Sequence, residues 1–197
     1  TGPDMSVVEA MVADDESIRG IWCVPRFSNP TGCVYDDDTV QRIAALANRA
    51  AGDFLIMWDN AYAVHALSDS APRLASISVF AQNLETADSI VQFGSTSKVT
   101  FAGAGVAFLA SSASTLHAIK NHLGYQTIGP DKVNQLRHVR LLRDDNYLAA
   151  HMAGHAALIS PRFNAVLSAL NNELSGRGMG SWTQPQGGYF IAFDTRP

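Results

Sequence analysis

The run FLIMWD at residues 54–59 is continuously apolar until it stops at a carboxylate. A short apolar run without alternation is typical of a strand buried on both faces, as in the parallel sheets of α/β proteins. Three similar runs, Ile18–Pro25, Ser89–Phe93 and Ala104–Ala110, lie before and after it, and each predicts a strand. Because these runs alternate with helical patterns, the sequence predicts an α/β domain with a mainly parallel sheet.

The helical pattern is clearest between the first two runs. Apolar residues recur at helical spacing through Asp38–Ala51, and Asp37 or Asp38 is placed to cap the helix.

The pattern becomes helical again from about Leu116. A long helix is predicted over Asp144–Ser160, interrupted at Pro161 and resumed through Leu174. Gly188–Asp194 then predicts a strand that belongs to a new unit.

These patterns predict two parts. Residues 1–148 are expected to form part of a three-layer α/β/α domain, and residues 149–197 a linking helix and the start of a smaller α+β domain. The chain lacks an initiator Met and stops just after a strand-like run. We therefore expect both ends to be cuts within a longer protein.

Composition narrows the class of protein. With 47% hydrophobic and 16% charged residues the chain is globular in character, and its net charge of -4 comes without a Lys/Arg cluster, so nucleic acid is not expected as a partner. Cys23 and Cys33 form no CxxC pair, which favours free thiols in a reducing cytoplasm over a disulfide or a metal site. The longest candidate for a membrane span, Val99–Ala110, is broken by Gly103 and Gly105.

Four segments combine polar residues, glycines or aromatics with a neighbouring apolar run. Three of them follow such a run: SNPTG at residues 28–32, DNAY at 59–62 and STSK at 95–98. The fourth, QGGYF at 186–190, leads into one. In open α/β sheets ligands bind at the carboxyl ends of the strands. Each segment alone has a simpler explanation: a turn, a helix cap, a solvated lysine or a bulge.

In this order, NPTG, DxAY, SxSK and PxGGYF resemble the fold-type-I aminotransferases, which use pyridoxal 5'-phosphate (PLP). The stretches VPRFSNPTG, WDNAYAVH, STSKVTFAGAGVAF and IGPDKVNQLRHVR are similar to the MocR-type branch, which includes aspartate aminotransferases. The resemblance covers essentially the whole chain. It implies a homodimer that acts on an amino acid and a 2-oxo acid, and it places residues 1–148 in the PLP-binding large domain.

The resemblance also assigns the reactive groups. Lys98 would form the Schiff base with PLP, and Asp59 would face the pyridine nitrogen and favour its protonated form. A desolvated pocket would keep the Lys98 amine neutral and nucleophilic. Once displaced by substrate, that amine would move the proton at the substrate α-carbon.

Four further residues are assigned to binding. By resemblance Asn29 and Tyr62 would hydrogen-bond the phenolic oxygen of the cofactor. Ser95 and Ser97 would contact its phosphate, since hydroxyls and loop N–H groups suit an anion. With Lys98 and Asp59 these residues complete the expected site, in which Lys98, Asp59 and Tyr62 are the catalytic members.

One position departs from many aminotransferases. Val106 stands where they carry an arginine that grips the phosphate, eight residues beyond the lysine. Arg137 and Arg26 are candidates for the missing cation, although a surface role explains each more simply.

Other polar and aromatic residues have ordinary explanations. His65, His138 and His151 are expected to pack or face solvent, because no acid-rich cluster accompanies them and no metal site is predicted. Trp22 and Trp58 lie in strand patterns and are predicted to be core residues.

Amino-group transfer from an L-amino acid, plausibly aspartate or glutamate by branch resemblance, is the leading hypothesis. Another PLP reaction, such as that of a lyase or decarboxylase, uses the same fold. A third hypothesis is a PLP-binding sensor domain of a transcription regulator. The family's second phosphate-binding turn and its substrate-carboxylate arginine are expected outside this chain, so the chain alone is expected to be catalytically incomplete.

Overall fold

The computed structural model describes residues 2–195, and the chain divides into two compact units. The first unit comprises the chain up to Pro25, Tyr35–Ala61 and Leu74–Leu141. The second unit comprises Arg26–Val34, Tyr62–Arg73 and the chain from Leu142 onward. Each unit therefore contains segments that are distant in sequence.

The first unit is built on a four-stranded sheet. Its strands, in sheet order, are β1 (Gly20–Cys23), β2 (Leu55–Asp59), β3 (Ile90–Ser95) and β4 (Ala107–Ala110). The pairs β1–β2 and β2–β3 are parallel, whereas β3 and β4 are antiparallel. The predicted α/β class with a mainly parallel sheet is confirmed.

One face of this sheet carries the core. Ile56 and Trp58 on β2 are fully buried there, together with Cys23 on β1. Helices α1 (Met5–Asp14), α2 (Asp37–Ala44) and α3 (Ile77–Asn83) contribute most of the other buried side chains of this cluster, and Leu46, Phe54 and Ile90 complete it. The prediction that Trp58 is a core residue is confirmed.

The prediction for Trp22 is wrong. Trp22 precedes Cys23 on β1 and so points to the opposite face of the sheet, where 58% of it is exposed. Its ring stacks on that of Phe93, with the two centroids 5.6 Å apart. An apolar strand pattern thus identified the strand but not the face that the helices cover.

Helix α2 begins one residue earlier than either predicted cap allows. Asp36 is the N-cap, and its carboxylate accepts a hydrogen bond from the backbone N–H of Thr39 at 2.9 Å. Asp37 and Asp38 lie in the first turn instead, where a carboxylate is favourable near the N-terminal end of the helix dipole. The predicted helix also ends earlier than Ala51, because a 3-10 turn follows α2.

Two more helices complete the first unit. They are α4 (Ala113–Gln126) and α5 (Lys132–Leu142). The side chain of Ser112 caps α4 by accepting a hydrogen bond from the N–H of Thr115. Neither helix has a buried residue in this chain.

The second unit contains the long helix α6 (Asp145–Leu174), capped by Asp144. The predicted interruption at Pro161 is wrong, because α6 runs through it as one helix. A proline removes a single N–H donor, and a helix of this length keeps the hydrogen bonds on either side of that gap.

A small antiparallel hairpin of β5 (Ser181–Trp182) and β6 (Phe193–Asp194) ends the second unit. The strand predicted over Gly188–Asp194 is therefore wrong except for its last two residues. Gly188 has a φ of +73°, which an extended strand does not allow. No helix within residues 2–195 is long and apolar enough to cross a membrane.

Candidate functional site

Four of the predicted site residues lie at the carboxyl ends of β2 and β3. Asp59 is the last residue of β2, and Ser95 is the last residue of β3. Ser97 and Lys98 follow Ser95 directly in the chain. Since β2 and β3 are adjacent and parallel, all four residues belong to one edge of the sheet.

Asp59 turns the chain out of the sheet. One of its carboxylate oxygens, Oδ1, accepts a hydrogen bond from the N–H of Ala61 at 3.0 Å. The N–H of Asn60 donates to the carbonyl oxygen of Phe93 at 2.9 Å, which extends the β2–β3 pairing past the end of β2. The Asp59 carboxylate is thus half-buried at a fixed strand end.

Residues 95–106, here called the lysine loop, join β3 to β4. Two hydrogen bonds close the loop at its base: the N–H of Thr96 donates to the carbonyl oxygen of Val106 at 2.9 Å, and the N–H of Val106 donates to Oγ1 of Thr96 at 2.8 Å. Val106, where many aminotransferases have arginine, therefore holds the loop through its backbone.

Gly105 lets the two arms of the lysine loop approach each other. A Cβ at this position would lie 2.6 Å from Oγ and 2.8 Å from the backbone N of Ser97. Only glycine fits that approach without a shift of the Ser97 backbone. Ser97 also donates its N–H to Oγ of Ser95 at 3.4 Å, so both predicted phosphate-binding serines belong to one tight turn.

The Lys98 side chain is exposed, whereas the next residue, Val99, is buried. Val99 thus anchors the turn while the lysine projects from it. The desolvated surroundings expected for the Lys98 amine are not formed by residues 2–195. Arg137 on α5 is exposed, in keeping with a surface role.

Tyr62 belongs to a second segment, residues 62–73, here called the tyrosine segment. Tyr62 is only 3% exposed, and its ring makes edge contacts with the rings of His65, Tyr189 and Phe190 at centroid distances of 5.8, 6.2 and 6.2 Å. Burial, and then the neighbouring Tyr62, raise the pKa of Tyr189. His65 is 5% exposed, as expected of a packing residue.

Backbone hydrogen bonds hold the tyrosine segment against the GGYF stretch. The N–H of Leu67 donates to the carbonyl oxygen of Gln186 at 3.0 Å, and the N–H of Gly188 donates to that of His65 at 2.9 Å. Ala66 and Gly187 form an isolated antiparallel bridge between these two bonds. The GGYF motif therefore packs beside Tyr62.

Arg26 connects the loop that carries Asn29 to the tyrosine segment. Its Nη1 donates to the carbonyl oxygen of Ala63, and its Nη2 donates to that of Pro72 at 3.4 Å. The guanidinium carbon lies 5.0 Å from the centroid of the Phe27 ring. Burial lowers the pKa of Arg26. The simpler explanation of Arg26 as a surface arginine is therefore wrong.

Asn29 lies in the loop that follows β1 and is exposed. The N–H of Ser28 donates to the carbonyl oxygen of Cys33 at 3.0 Å, and the N–H of Gly32 donates to that of Ser28 at 2.6 Å. The peptide bond between Asn29 and Pro30 is cis. Asn29 and Tyr62 thus belong to the second unit, whereas Asp59, Ser95, Ser97 and Lys98 belong to the first.

A family model described as aspartate amino-transferase matches residues 1–196. The chain belongs to the aspartate aminotransferase family. An aminotransferase of Mycolicibacterium smegmatis is 45% identical over 196 residues, which are 100% of this chain and 46% of that protein. The chain spans about half the length of the relatives it matches.

Solved structures agree with this family. The crystal structure of an aspartate transaminase from Corynebacterium glutamicum superposes with a TM-score of 0.94 at 44% identity, over 100% of this chain and 46% of that one. LysN, an α-aminoadipate aminotransferase from Thermus thermophilus solved with N-(5'-phosphopyridoxyl)-L-leucine, shares the fold. Its TM-score is 0.78 at 22% identity, over 96% of this chain and 46% of that one.

Proposed function

We propose that this protein transfers an amino group from an L-amino acid, aspartate or glutamate, to a 2-oxo acid, with PLP as cofactor. The observation that carries the proposal is that a carboxylate and a lysine follow the carboxyl ends of the adjacent parallel strands β2 and β3, in a chain of the aspartate aminotransferase family. The aspartate transaminase of Corynebacterium glutamicum, at 44% identity, supports the substrate class.

The residues at this edge fit the chemistry of PLP. A lysine amine can bind the aldehyde of PLP covalently, and a carboxylate beside the pyridine nitrogen of PLP favours the protonated form of that nitrogen. Lys98 and Asp59 are assigned these roles, which agree with an exposed amine and a carboxylate fixed at a strand end. When bound, PLP supplies an electron sink for the electron pair released at the substrate α-carbon.

The remaining polar groups are assigned to binding. Ser95 and Ser97 would donate to the phosphate, because their hydroxyls and the loop N–H groups lie in one tight turn. Asn29 and Tyr62 would donate to the phenolic oxygen of PLP. Tyr62 suits that role, since aromatic packing fixes the position of its ring.

Lys98 also carries the proton-transfer step. An amine on a short turn can take the proton from the substrate α-carbon and deliver it to the cofactor. Because the backbone of the turn is closed by hydrogen bonds on Thr96, only the lysine side chain has to move.

The proposal extends to the MocR-type branch and a homodimer, which the sequence resemblance supports, and to the cytoplasm, which the free thiols of Cys23 and Cys33 support. It also includes the domain organisation, with residues 1–148 in the large domain and 149–197 leading into the small one.

Borohydride reduction of the full-length protein with PLP, followed by peptide mapping, tests the cofactor assignment. We expect a pyridoxyl tag on the peptide that contains Lys98 and none on Lys120, an exposed lysine of α4. A tag on another lysine would refute the assignment of Lys98.

The reaction type is tested with aspartate or glutamate as donor and a 2-oxo acid as acceptor. We expect one new amino acid for each oxo acid consumed, and a lower kcat/KM with an apolar donor. Release of carbon dioxide or ammonia without a new amino acid would indicate a decarboxylase or lyase instead.

A further inference from the structure

Two polar side chains of α5 reach the lysine loop from outside the proposed site. Asn134 and His138 are four residues apart, so they lie on the same face of the helix. Nδ2 of Asn134 donates to the carbonyl oxygens of Ala104 at 2.9 Å and Gly105 at 3.3 Å. Nε2 of His138 lies 2.9 Å from Oγ1 of Thr100. One helix face thus contacts both arms of the loop.

The contact with Thr100 continues to the turn that presents Lys98. The N–H groups of Val99 and Thr100 both donate to the carbonyl oxygen of Thr96, at 2.9 and 2.8 Å. Oγ1 of Thr100 lies 3.1 Å from the same oxygen. Lys98 lies within the turn that this hydrogen bond between Thr100 and Thr96 closes. A shift of Thr100 would therefore move the Lys98 backbone.

The imidazole of His138 is itself fixed. Its Nδ1 lies 2.9 Å from the carbonyl oxygen of Asn134, which can only accept, so Nδ1 carries the hydrogen of that bond. In the neutral ring Nε2 can accept the single hydrogen of the Thr100 hydroxyl, for which the carbonyl oxygen of Thr96 is the competing acceptor. The N–H of Asn134 donates to the carboxylate of Asp131 at 3.0 Å, which holds the first turn of α5.

We propose that Asn134 and His138 are positioning residues that fix the Lys98 turn through Thr100 and the Ala104–Gly105 backbone. Neither residue touches a reacting atom. We call these contacts of Asn134 and His138 with the lysine loop the clamp. Its link to catalysis rests on the proposed function, whereas the contacts themselves are present in the protein without cofactor.

Hydrogen exchange tests the clamp in the full-length protein freed of PLP. We expect His138→Leu and Asn134→Leu each to speed amide exchange in the peptide covering residues 96–106 by about fivefold, the effect of one lost hydrogen bond. Thr100→Val, which keeps the shape of the side chain, should do the same. The control is His122→Leu, which replaces an exposed histidine of α4 and should leave exchange unchanged.

Steady-state kinetics with PLP then test the link to catalysis. We expect His138→Leu to lower kcat about tenfold while KM for the amino donor stays within about twofold, because a displaced amine affects the proton transfer more than binding. His138→Gln should recover most of kcat, since its amide can also accept the Thr100 hydroxyl.

The outcomes separate the two proposals. Unchanged exchange in both leucine variants would refute the clamp, whatever their activity. Equal kcat in the Gln and Leu variants of His138 would refute the specific role of its ring nitrogen. Faster exchange in the variants, combined with a wild-type protein whose Lys98 takes no pyridoxyl tag, would support the clamp and refute the proposed function.

Discussion

The lysine loop and the tyrosine segment hold their site residues by different forces. In the lysine loop, backbone and hydroxyl hydrogen bonds fix the chain and leave the Lys98 side chain exposed. In the tyrosine segment, ring packing buries the Tyr62 side chain itself. The difference suits the proposed roles, because a group that forms and breaks a covalent bond must move, whereas a group that only donates a hydrogen bond works best when held.

The strongest test of the exposed lysine is Lys98→Ala. We expect kcat to fall at least about a thousandfold, because the variant loses both the covalent link to the cofactor and the proton carrier. When both proteins are freed of PLP, the unfolding midpoint should stay close to that of the wild type, since an exposed side chain adds little packing. Activity assays and urea unfolding measure the two effects. Lys120→Ala is the matched control and should change neither.

The fixed backbone of the lysine loop is tested by Gly105→Ala. A Cβ placed 2.8 Å from the Ser97 backbone N should destabilise the protein by about 1–3 kcal/mol and slow the reaction. Gly124→Ala on α4, where a Cβ meets nothing within 4 Å, is the control. That variant should be more stable by about 0.5–1 kcal/mol. If both variants had equal urea midpoints, the close approach at Gly105 would be unimportant.

Arg26→Met tests how the tyrosine segment is held. Methionine keeps the apolar stem beside Phe27 but removes the donors to the carbonyl oxygens of Ala63 and Pro72. We expect about 1 kcal/mol of local stability to be lost, since the guanidinium is only half-buried. Faster amide exchange over residues 62–73 would show it, with Arg73→Met as an exposed control. Exchange like that of the wild type would mean that ring packing and the backbone hydrogen bonds to the GGYF stretch hold the segment without Arg26.

The last prediction concerns the rates at which a thiol reagent labels Cys23 and Cys33, and it is expected to affect activity least. Cys23 is 1% exposed, and burial raises the pKa of its thiol to about 12, whereas Cys33 is half-buried in the Asn29 loop. At pH 8 a thiol reagent should label Cys33 well before Cys23, as peptide mapping would show. Because an unfolded thiol ionises near pH 9 and the folded Cys23 does not, raising the pH from 9 to 12 should favour unfolding. Equal labelling rates would contradict the burial of β1.

Sequence reasoning identified the parallel part of the sheet because the apolar runs alternate with helical patterns. It did not identify which face of the sheet the helices cover, because successive side chains of a strand point to opposite faces and the sequence of a strand does not show what packs on each face. Trp22 was therefore predicted to be a core residue although it is exposed. The antiparallel direction of β4 was also missed. The stretch from Ser95 to Ala107 contains no helix, and a parallel neighbour needs a longer crossover.

The proposed site residues could be identified from the resemblance of the motifs, whereas the residues that hold the site segments in place could not. Arg26 was treated as a surface cation because its partners are backbone carbonyls of a distant segment, which no local pattern reveals. Asn134 and His138 were overlooked for a similar reason. Their four-residue spacing on a predicted helix was a usable sign, since it places two polar groups on one face.

The antiparallel pairing of β3 and β4 has a consequence for how this protein can change over evolution. Both stems of the lysine loop are strands of one sheet, joined in register from Ser95 with Ala107 to Gln92 with Ala110. Adding or deleting one residue within either stem would slip that register and send Phe108 to the opposite side of the sheet. The paired stems therefore fix where the lysine loop begins and ends, and sequence change around Lys98 is tolerated better in the loop than in its stems.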